Sequence, residues 1–347
     1  MGLLSKIFGK NKNTVNLTIE TTCTVNRDNS LPEYKGDYAQ ANFLNIYKKA
    51  TPIKKEDQYQ QYFKYHFGIV NPRDYHRKMI SEGFLEEASV EDVLQSLKTD
   101  ELKNILSMLN LTKTGKKDDL IKRILNSESD LSFIKKAEVQ YSISPKGETY
   151  LKDNYDLIDL YAKRDTYFVT YEEYIEQKMK SPKMPYHDIL WGIFNKRMHR
   201  DITTDCGCFQ HYCMYHLLID EKRFSLALEH YLMYFVLEIN VAGEMRRYID
   251  SYKTLSSLYS YKEYRERFPF HSFELHGQEK IYSLREYFNH EMIERCYNPG
   301  FYEIISKEEF NTIIANILND SLDNESTENM INTRMEKIIE KEMKRIK

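Results

Sequence analysis

The side chains with most chemistry to offer lie between residues 103 and 123. Lys113, Thr114, Gly115, Lys116 and Lys117 form a tight basic turn, and Lys103, Lys122 and Arg123 stand on the stretches to either side. Before the turn, Leu102, Ile105, Leu106 and Leu109 recur at helical spacing; after it, Leu120, Ile121, Ile124 and Leu125 form a similar face. Two short amphipathic helices are therefore expected, and the chemistry between them is anion capture. A helix start exposes unpaired N–H groups and the positive end of the dipole, which together seat a phosphate. Lys116 and Lys117 at that end oppose the dipole by roughly 0.3–1 kcal/mol each, which points to an anionic partner. Asp118 and Asp119 relieve part of that cost. From Lys98 to Arg123 there are seven Lys/Arg and four Asp/Glu, a local excess of three positive charges. The plainer reading is a solvated face, since Asp118–Lys122 and Asp119–Arg123 are acid-before-base pairs that support any exposed helix.

The residue pattern adds to this. A leucine-rich helix is followed by Leu111, Thr112, Thr114, Gly115, Lys117, Leu120, Ile121, Arg123 and Ile124. This stretch, about residues 90–126, resembles the SAP domain, the helix–extended–helix motif of scaffold-attachment factors, Acinus and PIAS proteins. The family's glycine before the leucine is replaced by Asn110, the next-best residue for a left-handed helix stop, so the turn should survive. The resemblance implies nucleic-acid binding, mostly of DNA, over about a tenth of the chain. Lys103, Lys113, Thr114, Gly115, Lys116, Lys117, Lys122 and Arg123 are the candidate contacts.

Other chemistry is weaker. Cys206, Cys208, His211, Cys213 and His216 are types that suit zinc. Their spacing argues against it, because structural fingers separate two ligand pairs by a long loop, whereas these all fall within one helical stretch. Buried thiols packing as small hydrophobes explain the cluster more simply. His187-Asp188 and His199-Arg200-Asp201 put imidazole beside carboxylate, a common coincidence, and Glu172, Glu173 and Glu176 read as a solvated helix face. Phosphate-loop, dinucleotide, G-x-S-x-G and H-E-x-x-H motifs are absent. The expectation is a non-enzymatic protein without a cofactor.

Composition sets the scale of any contact. A net charge of −3 over 347 residues gives no protein-wide field for polyanions, so binding must be local. Five cysteines, odd in number and mostly clustered, do not form a secreted disulfide framework. The longest apolar run, Tyr231 to Leu237, falls far short of the roughly eighteen residues of a membrane span. Residues Met1 to Phe8 lack a signal peptide's long apolar core, and Lys6 stands where myristoylation needs Ser or Thr. A small membrane-touching helix there is the minor alternative to a frayed end. Cytoplasmic residence and no membrane partner are expected.

The chain divides by pattern. Residues 1–35 read as a flexible arm in which Thr18 to Val25 could pass for a strand. Pro72 opens a helix that Gly83 halts. The passage Ile80 to Leu85 is similar to the end of a winged-helix recognition helix entering its wing, and Tyr141 to Leu151 resembles that family's closing strand and helix. Residues 36–155 are thus expected to be a small winged-helix-like α+β frame carrying the hairpin as an insertion, with Arg73, His76, Arg77 and Lys78 on its candidate helix. Residues 127–135 look like a connector, and the larger boundary is expected near residues 153–164. Residues 156–318 read as an all-α domain. There a helix from Tyr171 to Met179 is broken by Pro182 and Pro185, and another starts at Trp191. A pair over Phe209–Ile219 and Phe224–Ile239, with Ala227 as its small packing residue, resembles one tetratricopeptide unit and offers a surface for a protein partner. Residues 319–347 form an amphipathic C-terminal helix carrying Met335, Ile338, Ile339, Met343 and Ile346, suited to docking on its own domain or to self-association.

The expected whole is mostly α: a helical hairpin in a small frame, then an all-α domain. The expected function is a DNA-backbone-binding adaptor of low sequence specificity, because lysines on phosphates position a protein without reading bases. The alternative is a protein-interaction scaffold that does not bind nucleic acid.

Overall fold

Local punctuation sets the first elements. The computed structural model describes residues 33–127, 129–136, 139–201 and 206–346. The expected strand at Thr18–Val25, the Met1–Phe8 helix and all of the N-terminal arm but 33–35 lie outside the described residues. The frame begins with α1 (Gly36–Ile46), β1 (Thr51–Pro52), α2 (Tyr62–Phe67), α3 (Pro72–Ser81) and β2 (Leu85–Glu87). Pro72 is the first residue of α3, and Gly83 ends it at φ +76°. The Gly83 and Phe84 amides close onto the Ile80 and Met79 carbonyls, both at 2.9 Å.

The chain then leaves the frame for α4 (Val90–Ser96), α5 (Thr99–Met108), α6 (Lys117–Leu125) and α7 (Ser132–Lys136), returning as β3 (Gln140–Ile143) and α8 (Pro145–Asp153). β3 is the centre of a three-stranded antiparallel sheet, flanked by β1 and β2. Leu85 pairs with Ile143 and Glu87 with Tyr141. The two passages read as wing-like on either side of the hairpin are thus hydrogen-bonded neighbours, and the hairpin is inserted between them. Gly147 in α8 allows this sheet to close: a Cβ there would lie 2.3 Å from the Phe84 carbonyl oxygen.

The inserted helices own a separate core. Leu94, Leu102, Leu106, Leu120, Ile121 and Ile124 are fully buried together, each worth about 1.5–3 kcal/mol of burial. The frame completes this core with Ala50 and Ala88, and Ile134 of α7 joins from the stretch expected to be a mere connector. Ser142 in β3 donates to Asp92 of α4 at 3.2 Å, tying insert to sheet.

The rest is helical: α9 (Tyr155–Ala162), α10 (Arg164–Tyr167), α11 (Tyr171–Lys180), α12 (Tyr186–Asp201), α13 (Cys208–Asp220), α14 (Phe224–Ile239), α15 (Ala242–Leu255), α16 (Tyr261–Arg267), α17 (Gln278–Ser283), α18 (Glu291–Cys296), α19 (Lys307–Leu318) and α20 (Asn324–Lys344). Helix α12 starts at Tyr186, not Trp191, because Pro185 precedes it and its carbonyl accepts from the Ile189 amide at 3.1 Å. Helices α13 and α14 form the expected pair, with Ala227 wholly buried between neighbours. No core boundary falls at residues 153–164: one aromatic cluster joins Tyr38, Phe43, Phe63 and Phe67 of the frame to Leu157, Tyr167 and Tyr174. Asn42 of α1, buried, donates to the Leu157 carbonyl across that junction at 3.3 Å. A further cluster spans α13 to α20, and there the C-terminal helix buries Ile331, Met335, Ile339 and Met343. Of the two uses expected for this apolar stripe, docking on its own domain is the one observed, and the stripe is spent inside the chain rather than on self-association. Among the described residues no helix is long and apolar enough to cross a membrane.

Candidate nucleic-acid interface

The turn between α5 and α6 is built from backbone conformation. Asn110 ends α5 at φ +54°, as its replacement of glycine required. The Asn110 amide donates to the Ser107 carbonyl at 3.1 Å and the Leu111 amide to Leu106 at 2.7 Å, the double closure of a left-handed stop. Gly115 sits at φ +126°, where a Cβ would come within 3.1 Å of Asp119. Arg123 reaches back from α6, its guanidinium donating to the Thr112 carbonyl and, at 3.0 Å, to the Thr114 carbonyl. The Lys116 amide donates to the Asp119 carboxylate at 3.1 Å, and no N-cap side chain satisfies the first-turn amides of α6.

The eight candidate residues divide by what they already hold. Lys113, Lys116 and Lys122 are exposed and, among the described residues, have no ion pair. Lys117 is half-buried and its ammonium donates to the Gln95 carbonyl in the last turn of α4 at 2.7 Å, where the negative end of that helix favours a cation. Arg123 is half-buried as the clamp of the turn. Thr114 and Gly115 supply its backbone. Lys103 faces Asp100 at 3.9 Å on α5, about 9 Å along the helix axis from the turn. The turn and the start of α6 form one surface with Lys122, unpaired on α6, at its margin; Lys103, about as far along α5, is held by Asp100.

One further cation lies beside this surface. The Lys117–Gln95 bond draws the α4–α5 link against the start of α6, and that link carries Lys98, exposed and without an ion pair among the described residues. Its amide donates to Glu101 at 2.7 Å, the same device as Lys116 with Asp119, and this repeated lysine-then-acid spacing was the available signal.

On the frame helix α3, Arg73, Arg77 and Lys78 are exposed; Arg77 meets Asp74 at 3.2 Å and Lys78 meets Glu82 at 3.8 Å. His76 is corrected. It is wholly buried against the Tyr59 hydroxyl at 3.0 Å, because it shares the apolar side of α3 with Pro72 and Met79. Burial and Lys54 push its imidazole down to about 4.

The thiols and imidazoles around α13 diverge. Cys208 contacts the Tyr234 carbonyl and Glu238, Cys213 packs in the other cluster against the Tyr167 carbonyl, and His211 faces His230. His187 meets Glu221 at 3.2 Å, and Asp201 is engaged by Arg200 and Gln210. The acidic face of α11 is fully paired: Glu172 with Lys35, Glu173 with Arg197 and Glu176 with Lys180.

A family model described as the SAP domain matches residues 93–128. The matched SAP stretch runs from inside α4 through α6, so the Gln95 carbonyl that holds Lys117 lies within it. No curated protein and no solved structure matches the chain. The SAP match supports a nucleic-acid-binding role, and within it the open surface is the turn with its three unpaired ammonium groups.

Proposed function

We propose that this protein is a DNA-backbone-binding adaptor whose SAP hairpin seats phosphates between Lys113, Lys116 and the first-turn amides of α6, with Lys122 and Lys98 at the margins. The observation carrying the reading is that these cations sit unpaired around a helix start whose first-turn amides have no N-cap side-chain bond, inside the SAP match. Lys117 and Arg123 act indirectly, by fixing the shape of the surface. Three or four phosphate contacts correspond to non-specific affinity of roughly 10⁻⁴ to 10⁻⁶ M. Sequence readout is not part of the proposal, because no base-reading geometry is implied by ammonium groups on phosphates. The helices from α9 onward supply the protein-binding half of the adaptor, and the protein works in the cytoplasm without a catalytic step.

A second reading is favoured by one specific observation. Asp118 and Asp119 are exposed in the first turn of α6, where their carboxylates compete with an incoming phosphate. The hairpin would then be a protein-contact element. The full-length protein, titrated with labelled duplex DNA, single-stranded DNA and duplex RNA, separates the two. Salt-sensitive binding that is tightest for duplex DNA and is lost in the Lys113→Glu/Lys116→Glu variant is expected. Absence of binding by a protein of intact helicity, or binding indifferent to the charge reversal, would overturn the DNA reading.

A further inference from the structure

Helices α13 and α14 lie side by side, and across their seam His211 and His230 turn the same nitrogen toward each other. Their Nδ1 atoms are 3.1 Å apart, with ring centroids at 5.2 Å. Two imidazole nitrogens on one zinc-sized ion stand about 2.9–3.4 Å apart, given metal–nitrogen bonds of roughly 2.0–2.1 Å at near-tetrahedral to right angles. The observed separation falls inside that interval. Both residues are half-buried.

We propose that His211 and His230 form a two-imidazole site for a divalent transition-metal ion, bound through both Nδ1 atoms. Among the described residues no third His, Cys, Asp or Glu completes a cluster with them, so the remaining positions go to water. The neighbouring carboxylate of Glu229 is engaged by Arg295 at 2.5 Å. Two neutral nitrogen donors suit copper, nickel and zinc rather than calcium or magnesium, and they hold an exchangeable ion rather than a permanent structural one. The rings are ready for it. The close approach of the two Nδ1 atoms already requires one of them to be an unprotonated acceptor, as a ligand nitrogen must be. Binding costs one tautomer shift: the ring carrying its proton on Nδ1 releases it to water and takes one on Nε2, with no net change. This site is independent of the hairpin and of the DNA reading.

The chain reports on the site by itself. Its single tryptophan, Trp191, stands with its ring 5.7 Å from that of His230. Nickel(II) added to the full-length protein at pH 7 is expected to quench Trp191 fluorescence to saturation at one ion per chain. His211→Asn and His230→Asn should each weaken the midpoint by at least about tenfold, whereas His216→Asn on the same helix should leave it unchanged. Quenching that is unsaturable, or equal in the His230→Asn variant, overturns the proposal. Should either variant lose its helical circular dichroism, the unsubstituted protein decides: with one equivalent of copper(II), its electron paramagnetic resonance spectrum should show two imidazole nitrogens, and a thiolate or backbone-amide spectrum refutes the site.

Discussion

If the hairpin binds the DNA backbone as proposed, the salt dependence follows lysine by lysine. Each phosphate contact on duplex DNA contributes about −0.9 to the slope of log K against log salt. The proposed surface holds four exposed ammonium groups without ion pairs, Lys98, Lys113, Lys116 and Lys122. The expected slope is about −3.6, which weakens binding about 150-fold between 50 and 200 mM salt. Lys116→Gln should reduce the slope to about −2.7 and that loss to roughly 40-fold, with unchanged thermal stability. Lys117→Gln and Arg123→Ala should behave in the opposite way. Their donors are committed to Gln95 and to the Thr112 and Thr114 carbonyls, so each should destabilise the hairpin by about 1–3 kcal/mol. Hydrogen exchange over residues 93–127 measures that loss, and fluorescence anisotropy at four salt concentrations measures the slope. A Lys117 variant that removes a full contact from the slope while leaving exchange protection intact would refute the division of labour. A wild-type slope steeper than about −5 would refute the count itself.

Three other outcomes follow from the geometry. Asn110→Ala places a Cβ-bearing residue without a polar side chain at φ +54° and should cost about 1–2 kcal/mol, read as a lower urea midpoint; an unchanged midpoint would mean the stop is not under this constraint. Gly147→Ala forces a Cβ toward the Phe84 carbonyl and should cost about 1–3 kcal/mol, with exchange protection lost first in β2 and β3. Stability should also fall on mild acidification. His76, His211, His216 and His230 have folded values lowered by burial to about 4, 3, 4 and 4, so above the ordinary value of 6.5 their neutral forms cost nothing. As pH drops below 6.5 the unfolded chain takes up protons first, and each imidazole still neutral at pH 5 removes about 2 kcal/mol. Glu309, held down to about 2 chiefly by Arg334, loses its contribution only below the carboxylate range, so it does not enter that window. A urea midpoint flat from pH 7 to pH 5 would contradict the burial of these rings.

The hairpin was legible because its signals are local. Leucines at helical spacing, Asn110 and Gly115 each act within four residues, and all behave as their side chains dictate. What Lys117 and Arg123 do was not legible, since their partners are backbone carbonyls, one of them 22 residues away. A lysine that caps another helix and a lysine that waits for phosphate are the same letter. His76 was misplaced because the charges beside it outweighed its position one turn from Pro72 and Met79. The expected boundary near residues 153–164 came from a change in composition, but the aromatic residues of α1 and α2 pack against those of α9 to α11, and such sharing leaves no mark on either segment alone. As a breaker, Pro185 puts the next helix start at Trp191, but proline is equally at home just before a first turn, and the helix begins at Tyr186.

The insertion between β2 and β3 leaves the chain at Glu87 and rejoins it at Gln140, next to the strand partner Tyr141. Exit and re-entry are separated by little more than one strand spacing, about 5 Å. A two-residue loop spans that gap, so the entire module can be cut out, or exchanged for a relative of different charge, without stretching the sheet beneath it. The fold has placed its SAP-matched element where exchange leaves the pairing of β2 with β3 in place.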